Sequence, residues 1–343
     1  MVIENMYKPV TFPFFSVVIP VYNKEPHIAR SIQSILDQSF DNFELLIICD
    51  PSTDKSNFEV EKFSDSRIRV FYRNEPGPGG YAARNLGIEK AKAEWIAFLD
   101  ADDEWYSDYL KTVHQTIIES NQSSFIASGW KTLDYNHTDT PTINSYFVNN
   151  SNKGIHTLNF KEYLAADVNM NRPFYTSTAV IKKSLLIESG LFPAGKCNRG
   201  GDIDTWLRCI FLSDNLTVNN YIGACYYRDS INMVTKTSFD NASAIRSTID
   251  SILRRVDDEE TVFLLKRFSN YYTKAAWLTN YNSNNYRGNF NLYKTLYYDV
   301  NTLNSLTLGF LSLLPEELWL KVNENKDKLK FIYNSKFFIK LIR

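Results

Sequence analysis

The 343-residue chain is poor in the residues on which several classes of protein depend. It has four histidines and four cysteines, and no two cysteines form a Cys-x-x-Cys pair, so the sequence gives little support to a zinc site. No run of about 18 apolar residues occurs, and no transmembrane helix is predicted. The N-terminus, MVIENMYKPV, lacks the basic and then apolar layout of a signal peptide. We therefore expect a cytoplasmic protein with reduced thiols.

Neither sign of charge predominates in the chain. Lys and Arg total 38 against 39 Asp and Glu, which gives a net charge of −1. Nucleic-acid binding normally requires a basic surface, so no nucleic-acid partner is predicted. The 44% of hydrophobic residues, with 23 Phe and 21 Tyr, is enough for a substantial core. The length allows two domains, or one large domain with an appendage.

The most informative stretch is EWIAFLDADDEW, at residues 94–105. Its short apolar run predicts a buried strand, which ends in Asp100, Asp102 and Asp103. Open α/β sheets bind ligands at this end of their strands. Neighbouring carboxylates repel one another unless a cation compensates, and Mg²⁺ needs few protein ligands when a diphosphate supplies the others. We hypothesise a metal–diphosphate site; the alternative is an acidic, solvated end of a strand.

Strands and helices alternate through the first hundred residues. Strands are predicted at 16–21, 44–49, 67–72 and 95–99, with a helix after the first and another around 81–93. This alternation predicts an α/β fold with a doubly wound, mostly parallel central sheet flanked by helices.

Polar and aromatic residues stand at the predicted strand ends. Asp50 could accept a hydrogen bond from a base or a sugar, or could cap the turn PSTD. Tyr22 could stack on a ring or be an ordinary aromatic at the end of a strand. Arg84 could bind a base or a phosphate, or lie on a helix surface. Each alternative stays open for the residue taken alone.

The later part of the chain changes character near residue 238. Before it, the patterns predict helices at 107–120, 160–168, 182–189 and 202–212, strands at 124–133, 176–181 and 216–227, and a loop over 134–155. After it, helices are predicted at 244–256, 261–280, 292–303 and 315–322. The tail 326–343 mixes Lys with Phe, Ile and Leu, which suits either an anionic membrane surface or a helix packed on the protein.

The order SVVIPVYN, ELLIICDPSTDKS and NEPGPGGYAARNLGIEKAKAEWIAFLDADDEW closely resembles the nucleotide-sugar-binding half of the family 2 glycosyltransferases, inverting enzymes with the GT-A fold. TSTAVIKKSLLIESGLFP followed by GGDIDTWLRC resembles their acceptor-side segment. The resemblance implies a lead-in at 1–15 and a GT-A domain at 16–237. That domain comprises a nucleotide-sugar half, 16–105, and an acceptor half, 106–237. A helical C-terminal region, 238–343, lies outside the resemblance.

The resemblance also implies roles for the nucleotide-sugar half. Asp50 matches the carboxylate that contacts the base, and Arg84 the basic residue of the same subsite. Pro20 and Tyr22 line that pocket. Asp100 and Asp102 match the Asp-x-Asp pair, with Asp102 contacting the metal, Mg²⁺ or Mn²⁺, and Asp100 the ribose or the metal.

In the acceptor half, Asp202 matches the catalytic base of the family. An acidic residue usually precedes that base, but Gly201 stands there, and Asp204 is the second candidate. The segment YRDSINMVT, at 227–235, resembles a loop that in many members carries a histidine near the metal. It has none here, so we expect few protein ligands for the metal.

The implied reaction moves a sugar from a nucleotide-diphospho-sugar to a hydroxyl of a saccharide or lipid-linked oligosaccharide, as in bacterial surface-polysaccharide assembly. The implied location is cytoplasmic, with the tail 326–343 as a candidate contact with the inner face of the membrane. One alternative is a sugar nucleotidyltransferase, which should carry a Gly-rich basic loop where this chain has VYNKEPH. Another is a non-catalytic nucleotide-sugar-binding protein.

Overall fold

The computed structural model describes residues 12–120, 123–133, 141–228, 230–231, 242–282, 292 and 295–300. The strands are β1 Phe15–Val21, β2 Phe43–Cys49, β3 Ile68–Tyr72, β4 Trp95–Phe98, β5 Glu104–Trp105, β6 Phe125–Leu133, β7 Thr142–Ile143, β8 His156–Leu158, β9 Ala179–Lys182 and β10 Leu216–Tyr227. The α-helices are α1 Ile28–Leu36, α2 Ser56–Glu61, α3 Tyr81–Lys90, α4 Tyr109–Ser120, α5 Ser145–Asn149, α6 Phe160–Val168, α7 Lys183–Glu188, α8 Gly201–Ser213, α9 Ser243–Leu253 and α10 Glu259–Asn282. Short 3₁₀ helices form at Pro78–Gly80 and Thr176–Thr178.

The strands of the described residues form one sheet, in the order β3-β2-β1-β4-β9-β6-β10-β5. Strand β7 pairs with β6, and β8 pairs with β10. The predicted α/β fold with a central sheet is confirmed, and the sheet is parallel from β3 to β4. Beyond β4 it is mixed, because β9 runs antiparallel to both β4 and β6. The four parallel strands β3, β2, β1 and β4 all come from residues 15–98, and β6 and β10 form a further parallel pair later in the chain.

The apolar runs of the sequence become the centre of the core. All seven residues of β2 are buried, as are six of the seven in β1. Each fully buried aliphatic side chain contributes roughly 1.5–3 kcal/mol. Glu44 is the one charged residue in the buried strand β2. Its carboxylate accepts hydrogen bonds from the Ser16 hydroxyl at 2.6 Å, the Arg69 guanidinium at 2.5 Å and the Lys92 N–H at 2.6 Å.

The predicted loop over 134–155 is wrong for residues 142–149, which form β7 and α5. Helix α5 begins after Asn144, whose side chain accepts the Tyr146 N–H at 2.9 Å, and it buries Tyr146 and Phe147. Its apolar face is too short to give a periodic signal, so composition dominated the prediction. Strand β5 and helix α2 were not predicted for the same reason. Residues 134–140 lie outside the described residues.

Two helices of the C-terminal region pack on the GT-A domain. The group formed by Asp167, Arg172 and Tyr272 fixes α10 beside the end of α6. The Arg172 Nε donates to Asp167 at 3.1 Å and its Nη2 donates to the Tyr272 hydroxyl, which donates to Asp167 at 3.1 Å. These hydrogen bonds around the buried Asp167 carboxylate join helix α10 to the sheet domain.

Other predictions for the C-terminal region are only partly tested. The helix predicted over 292–303 is wrong at 296–300, which are turns and irregular structure. The helix predicted over 315–322 and the tail 326–343 lie outside the described residues. Within the part of the chain that the structure describes, no helix combines the length and apolarity that a membrane crossing needs.

Candidate active site

The three carboxylates of residues 100–103 follow β4 in a turn. The Asp103 N–H closes this turn on the Asp100 carbonyl oxygen at 3.0 Å, and β5 begins directly after it. Although they are close in sequence, the side chains of Asp100, Asp102 and Asp103 bind three different groups: a guanidinium, an ammonium and a hydroxyl. This arrangement reduces the repulsion that the sequence implies.

Asp100 pairs with the guanidinium of Arg84. The Arg84 Nη2 donates to Asp100 Oδ1 at 2.5 Å, while Nη1 donates to the Gly79 carbonyl oxygen at 2.8 Å. Burial raises the pKa of Asp100 and Arg84 lowers it, but the neighbouring charges of Asp102 and Asp202 add to the increase, and the net direction is upward. A cation brought to this carboxylate would be favoured, because it stabilises the charged form.

Asp102 pairs with Lys24, at the end of the first strand. The Lys24 Nζ lies 2.6 Å from Asp102 Oδ2 and also donates to the Ile231 carbonyl oxygen at 2.8 Å. The Lys24 N–H donates to the Ser56 hydroxyl at 2.7 Å, which fixes the lysine backbone at the start of α2. Sequence reasoning missed Lys24, although it directly follows the strand-end residues Tyr22 and Asn23.

Asp103 has a structural role. It is 1% exposed, and its carboxylate accepts the Ser177 hydroxyl at 2.6 Å and the Tyr227 N–H at 3.3 Å. Burial, followed by the charges of Asp102 and Asp100, raises the pKa of Asp103 well above its ordinary value. Asp103 thereby joins the turn after β4 to the 3₁₀ segment before β9 and to the end of β10.

Asp100 and Asp102 suit a metal that takes most of its ligands from elsewhere. Each has one carboxylate oxygen engaged by a cationic side chain, which leaves its other oxygen for coordination. Among the described residues, no group of three or more His, Cys, Asp or Glu could hold a metal alone. Two carboxylates fit Mg²⁺ or Mn²⁺ if a diphosphate and water supply the remaining oxygens.

The nucleotide pocket predicted around Asp50 lies at the end of β2. Asp50 is 2% exposed, and its carboxylate accepts the Arg73 Nη1 at 2.5 Å and the Gly77 N–H at 3.0 Å. It therefore fixes the start of the Gly-rich loop before α3, and it does not simply cap the turn PSTD. Arg73 was missed, although it is the polar residue that directly follows β3, the strand beside β2.

Pro20 and Tyr22 border the same pocket from β1. A Cβ at Gly80 would lie 3.4 Å from the Pro20 Cβ and 3.2 Å from the Arg84 Nη1, so these three residues pack closely. Gly80 adopts a φ of +67°, which favours glycine, and this brings the loop against β1. Tyr22 is 46% exposed, which leaves a ring face available for stacking.

The sheet order explains why the predicted residues meet. Strands β1, β2 and β4 are neighbours and run parallel, so their carboxyl ends share one edge. That edge and the adjacent N-terminal turns of α3 bring together Pro20, Tyr22, Asp50, Arg84, Asp100 and Asp102.

Asp202 lies in the first turn of α8. Its Oδ2 accepts the Thr176 hydroxyl at 3.1 Å, and the hydroxyl of the next residue, Ser177, accepts the Asp100 N–H at 3.1 Å. The side chain is partly exposed. An acidic group of the acceptor half therefore stands close to the Asp-x-Asp pair, although about 100 residues separate them.

Asp204, the second candidate for the base, is engaged elsewhere. It is 3% exposed, and its Oδ2 accepts the Arg208 Nη2 at 2.7 Å and Nε at 3.1 Å. Its Oδ1 accepts the Thr248 hydroxyl at 2.5 Å. Asp204 thus joins α8 to α9, and these contacts favour Asp202 as the group that faces a substrate.

Comparison with known proteins decides the family. The family model for glycosyl transferase family 2 matches residues 16–187, half of the chain. The chain belongs to glycosyl transferase family 2. The match includes the Asp-x-Asp turn and the pocket around Asp50, and it ends before α8. The family predicted from the sequence is therefore confirmed, while the role of Asp202 stays a prediction.

A solved structure shows the same fold, and curated relatives with glycosyltransferase names are similar in sequence. The crystal structure of S. aureus TarS 1-349 in complex with UDP-GlcNAc has a TM-score of 0.70 at 17% identity, over 92% of this chain and 91% of that one. WfgD of Escherichia coli, a UDP-Glc:alpha-D-GlcNAc-diphosphoundecaprenol beta-1,3-glucosyltransferase, is 38% identical over 121 residues. This alignment covers 35% of the chain and 47% of WfgD, about half of that relative. Glycosyltransferase GlyG of Streptococcus pneumoniae is 25% identical over 255 residues, 71% of this chain and 79% of GlyG.

Proposed function

We propose that this protein is an inverting glycosyltransferase. It transfers a sugar from a nucleotide-diphospho-sugar to a hydroxyl of a saccharide or lipid-linked saccharide. The observation that carries the proposal is that neighbouring residues of one 3₁₀ turn contact both groups: the Thr176 hydroxyl donates to Asp202, and the Ser177 hydroxyl accepts the Asp100 N–H. A single displacement needs groups on two sides of one sugar, and two distant parts of the chain supply them.

A uridine diphosphate sugar is the proposed donor class. The name of one similar protein, WfgD, includes UDP-Glc, and the similar TarS structure is a complex with UDP-GlcNAc. In this chain Asp50 would accept a base N–H or a ribose hydroxyl, and Tyr22 would offer its exposed ring to the base. Since Asp50 is held by Arg73 and the Gly77 N–H, its carboxylate is already oriented before the donor arrives.

Mg²⁺ or Mn²⁺ is the proposed cofactor, and Asp100 and Asp102 would hold it. When bound, the metal would neutralise the charge that develops on the diphosphate leaving group. Arg84 fixes the carboxylate of Asp100, and Lys24 adds a positive charge beside Asp102. Both side chains thus raise the positive potential where the diphosphate would lie.

Asp202 is the proposed general base. Its carboxylate takes the proton of the acceptor hydroxyl while the hydroxyl oxygen forms a bond to the anomeric carbon. The bond from that carbon to the diphosphate oxygen breaks, and the electron pair leaves with the nucleoside diphosphate. Attack occurs on the face opposite the leaving group, so the anomeric configuration inverts. Thr176 holds the Asp202 carboxylate through its hydroxyl and can keep it oriented.

The test is nucleoside diphosphate release from a set of donors, with saccharide acceptors, by the wild type and Asp202→Asn. Asp37→Asn is the matched control, because Asp37 is exposed at the end of α1. We expect donor-dependent release in the wild type and the control, a product of inverted configuration by NMR, and a loss of about 10²–10⁴-fold in Asp202→Asn.

Equal turnover by Asp202→Asn would refute the base assignment. A protein that binds a donor in the presence of metal but never releases the diphosphate would instead be a non-catalytic nucleotide-sugar-binding protein. Gly201, which stands where the family usually has an acidic residue, is the observation that favours this second function.

A further inference from the structure

One face of helix α3 contacts both sides of the proposed cleft. Tyr81, Arg84 and Asn85 stand at positions i, i+3 and i+4, so they share this face. Arg84 binds Asp100, as described above. Asn85 exchanges two hydrogen bonds with Phe192, since its Nδ2 donates to the Phe192 carbonyl oxygen and its Oδ1 accepts the Phe192 N–H, both at 2.9 Å. The face therefore links the nucleotide-sugar half to the segment that leads into α8.

Tyr81 makes the contact with α8 itself. Its hydroxyl oxygen accepts the N–H of Gly201, the first residue of α8, at 2.9 Å. The first N–H groups of a helix have no partner within the helix, so this acceptor satisfies one of them. Tyr81 is 3% exposed, and its ring stacks on Phe192 at 6.2 Å with an interplanar angle of 10°. The tyrosine is thus held rigidly on both its ring and its hydroxyl.

The position of the Tyr81 ring leaves no space for a side chain at residue 201. A Cβ at position 201 would lie 2.7 Å from the Cζ of Tyr81 and 2.8 Å from the Cγ of Pro193. Real Cβ atoms essentially never approach other heavy atoms so closely, so a side chain at 201 would displace the ring or the helix. The absent acidic residue before Asp202 is therefore explained by packing: the ring of Tyr81 occupies its space.

We propose that Tyr81 is a positioning residue for Asp202, holding the start of α8 in the place where an acidic neighbour would otherwise stand. The proposal rests on the proposed function, because it takes Asp202 as the base. Asp202 directly follows Gly201, so the hydrogen bond that Tyr81 accepts from the Gly201 N–H lies one residue away from the carboxylate. Because Arg84 lies on the same helical face, α3 sets the spacing between the diphosphate side of the cleft and the base. A misplacement of about 1 Å in such a site can cost on the order of 10²-fold in rate.

The decisive variant is Tyr81→Phe, which keeps the stacked ring and removes the acceptor oxygen. We expect kcat to fall about tenfold, less than the roughly 10²-fold cost of a 1 Å misplacement because the ring stays in place, with the donor KM unchanged within about twofold. Tyr109→Phe is the control, because Tyr109 is a fully buried tyrosine on α4 whose ring packs against Trp105 at 4.3 Å. Its kcat should equal that of the wild type. Asp202→Asn is measured in parallel, and Gly201→Ala provides a second route to the same contact.

The outcomes separate the inference from the function on which it rests. Wild-type kcat in Tyr81→Phe, beside an inactive Asp202→Asn, would overturn the role of Tyr81 and leave the base in place. A rise in donor KM at constant kcat would also overturn it, since Tyr81 would then act on donor binding. Full activity in Asp202→Asn would overturn the base assignment in the proposed function, and with it the role of Tyr81 as a positioning residue for that base. If Tyr81→Phe fails to fold, the kcat and KM of Gly201→Ala decide: a lower kcat at constant donor KM supports the proposal, and unchanged kcat refutes it.

Discussion

Replacing each of the two aspartates of α8 with asparagine should separate chemistry from stability. Asp202 accepts one hydrogen bond, from Thr176 at 3.1 Å, and an amide oxygen can still accept it. Asp202→Asn should therefore change the free energy of unfolding by no more than about 0.5 kcal/mol. Turnover should fall by about 10²–10⁴-fold, because an amide cannot take the proton of the acceptor hydroxyl.

Asp204→Asn should have the opposite profile. The Asp204 carboxylate accepts two hydrogen bonds from Arg208 and one from Thr248, and its side chain is 4% exposed. Breaking a buried ion pair costs about 3–5 kcal/mol when the partner is left alone. Arg208 also donates to the carbonyl oxygens of Ser189 and Leu191, so we expect a smaller loss of about 2–3 kcal/mol.

The two variants are compared by calorimetric unfolding and by steady-state release of nucleoside diphosphate at 25 °C. A loss of about 2–3 kcal/mol should lower the melting temperature of Asp204→Asn by about 3–4 °C, because the unfolding entropy of a chain of this length is about 0.7 kcal/mol/K, with kcat within about tenfold of the wild type. The reasoning is refuted if Asp204→Asn is as inactive as Asp202→Asn while its melting temperature is unchanged. In that case Asp204 would be the better candidate for the base, and its contacts with Arg208 would have to open during turnover.

Three further variants test other parts of the structure. Lys24→Met removes a cation from Asp102, so the affinity for Mn²⁺ without donor should rise about fivefold by calorimetry, and an unchanged affinity would contradict a shared site. Tyr272→Phe deprives Arg172 of an acceptor and should reduce the free energy of unfolding by about 1–2 kcal/mol in denaturant titrations; no change would mean that this group does not hold α10. For Glu44, burial raises the pKa, but the hydrogen bonds that it accepts outweigh burial and leave its pKa below the ordinary 4.5. Its ionised form therefore stabilises the fold above that pH. Glu44→Gln should have a lower free energy of unfolding than the wild type at neutral pH, and this difference should become smaller as the pH falls below 4.5. A difference in the free energy of unfolding that is constant with pH would contradict this.

The strands of the nucleotide-sugar half could be predicted because their sequences are dominated by burial. In β1 and β2 nearly every residue is buried, and their ends fall within one residue of the predicted bounds. Short elements such as β5 and α5 could not be predicted, since two to five residues give no periodicity and depend on tertiary contacts. The position of β9 between β4 and β6 and its antiparallel direction could not be predicted either, because local sequence patterns do not specify which strands pair.

The candidate site was predictable where residues follow buried strands, and not where they meet across the fold. The sequence indicates Asp50, Asp100 and Asp102, because these polar residues stand at the ends of apolar runs. The pair of Lys24 with Asp102 spans 78 residues, and no pattern in the sequence points from one to the other. The contact of Tyr81 with Gly201 spans 120 residues. Its only trace in the sequence is a glycine where the family usually has an acidic side chain.

Strand β9 limits how enzymes of this kind could be recombined. It forms backbone hydrogen bonds with β4, so a segment from the acceptor half completes the edge of the parallel sheet. A chimera joined at residue 105 would lay a foreign strand against β4 and a foreign Ser177 against Asp103. A junction placed beyond residue 182 would retain both contacts while it exchanges the helix that carries Asp202. Strand β10 would be exchanged with that helix, so the new strand would have to pair with the retained β6 and β5.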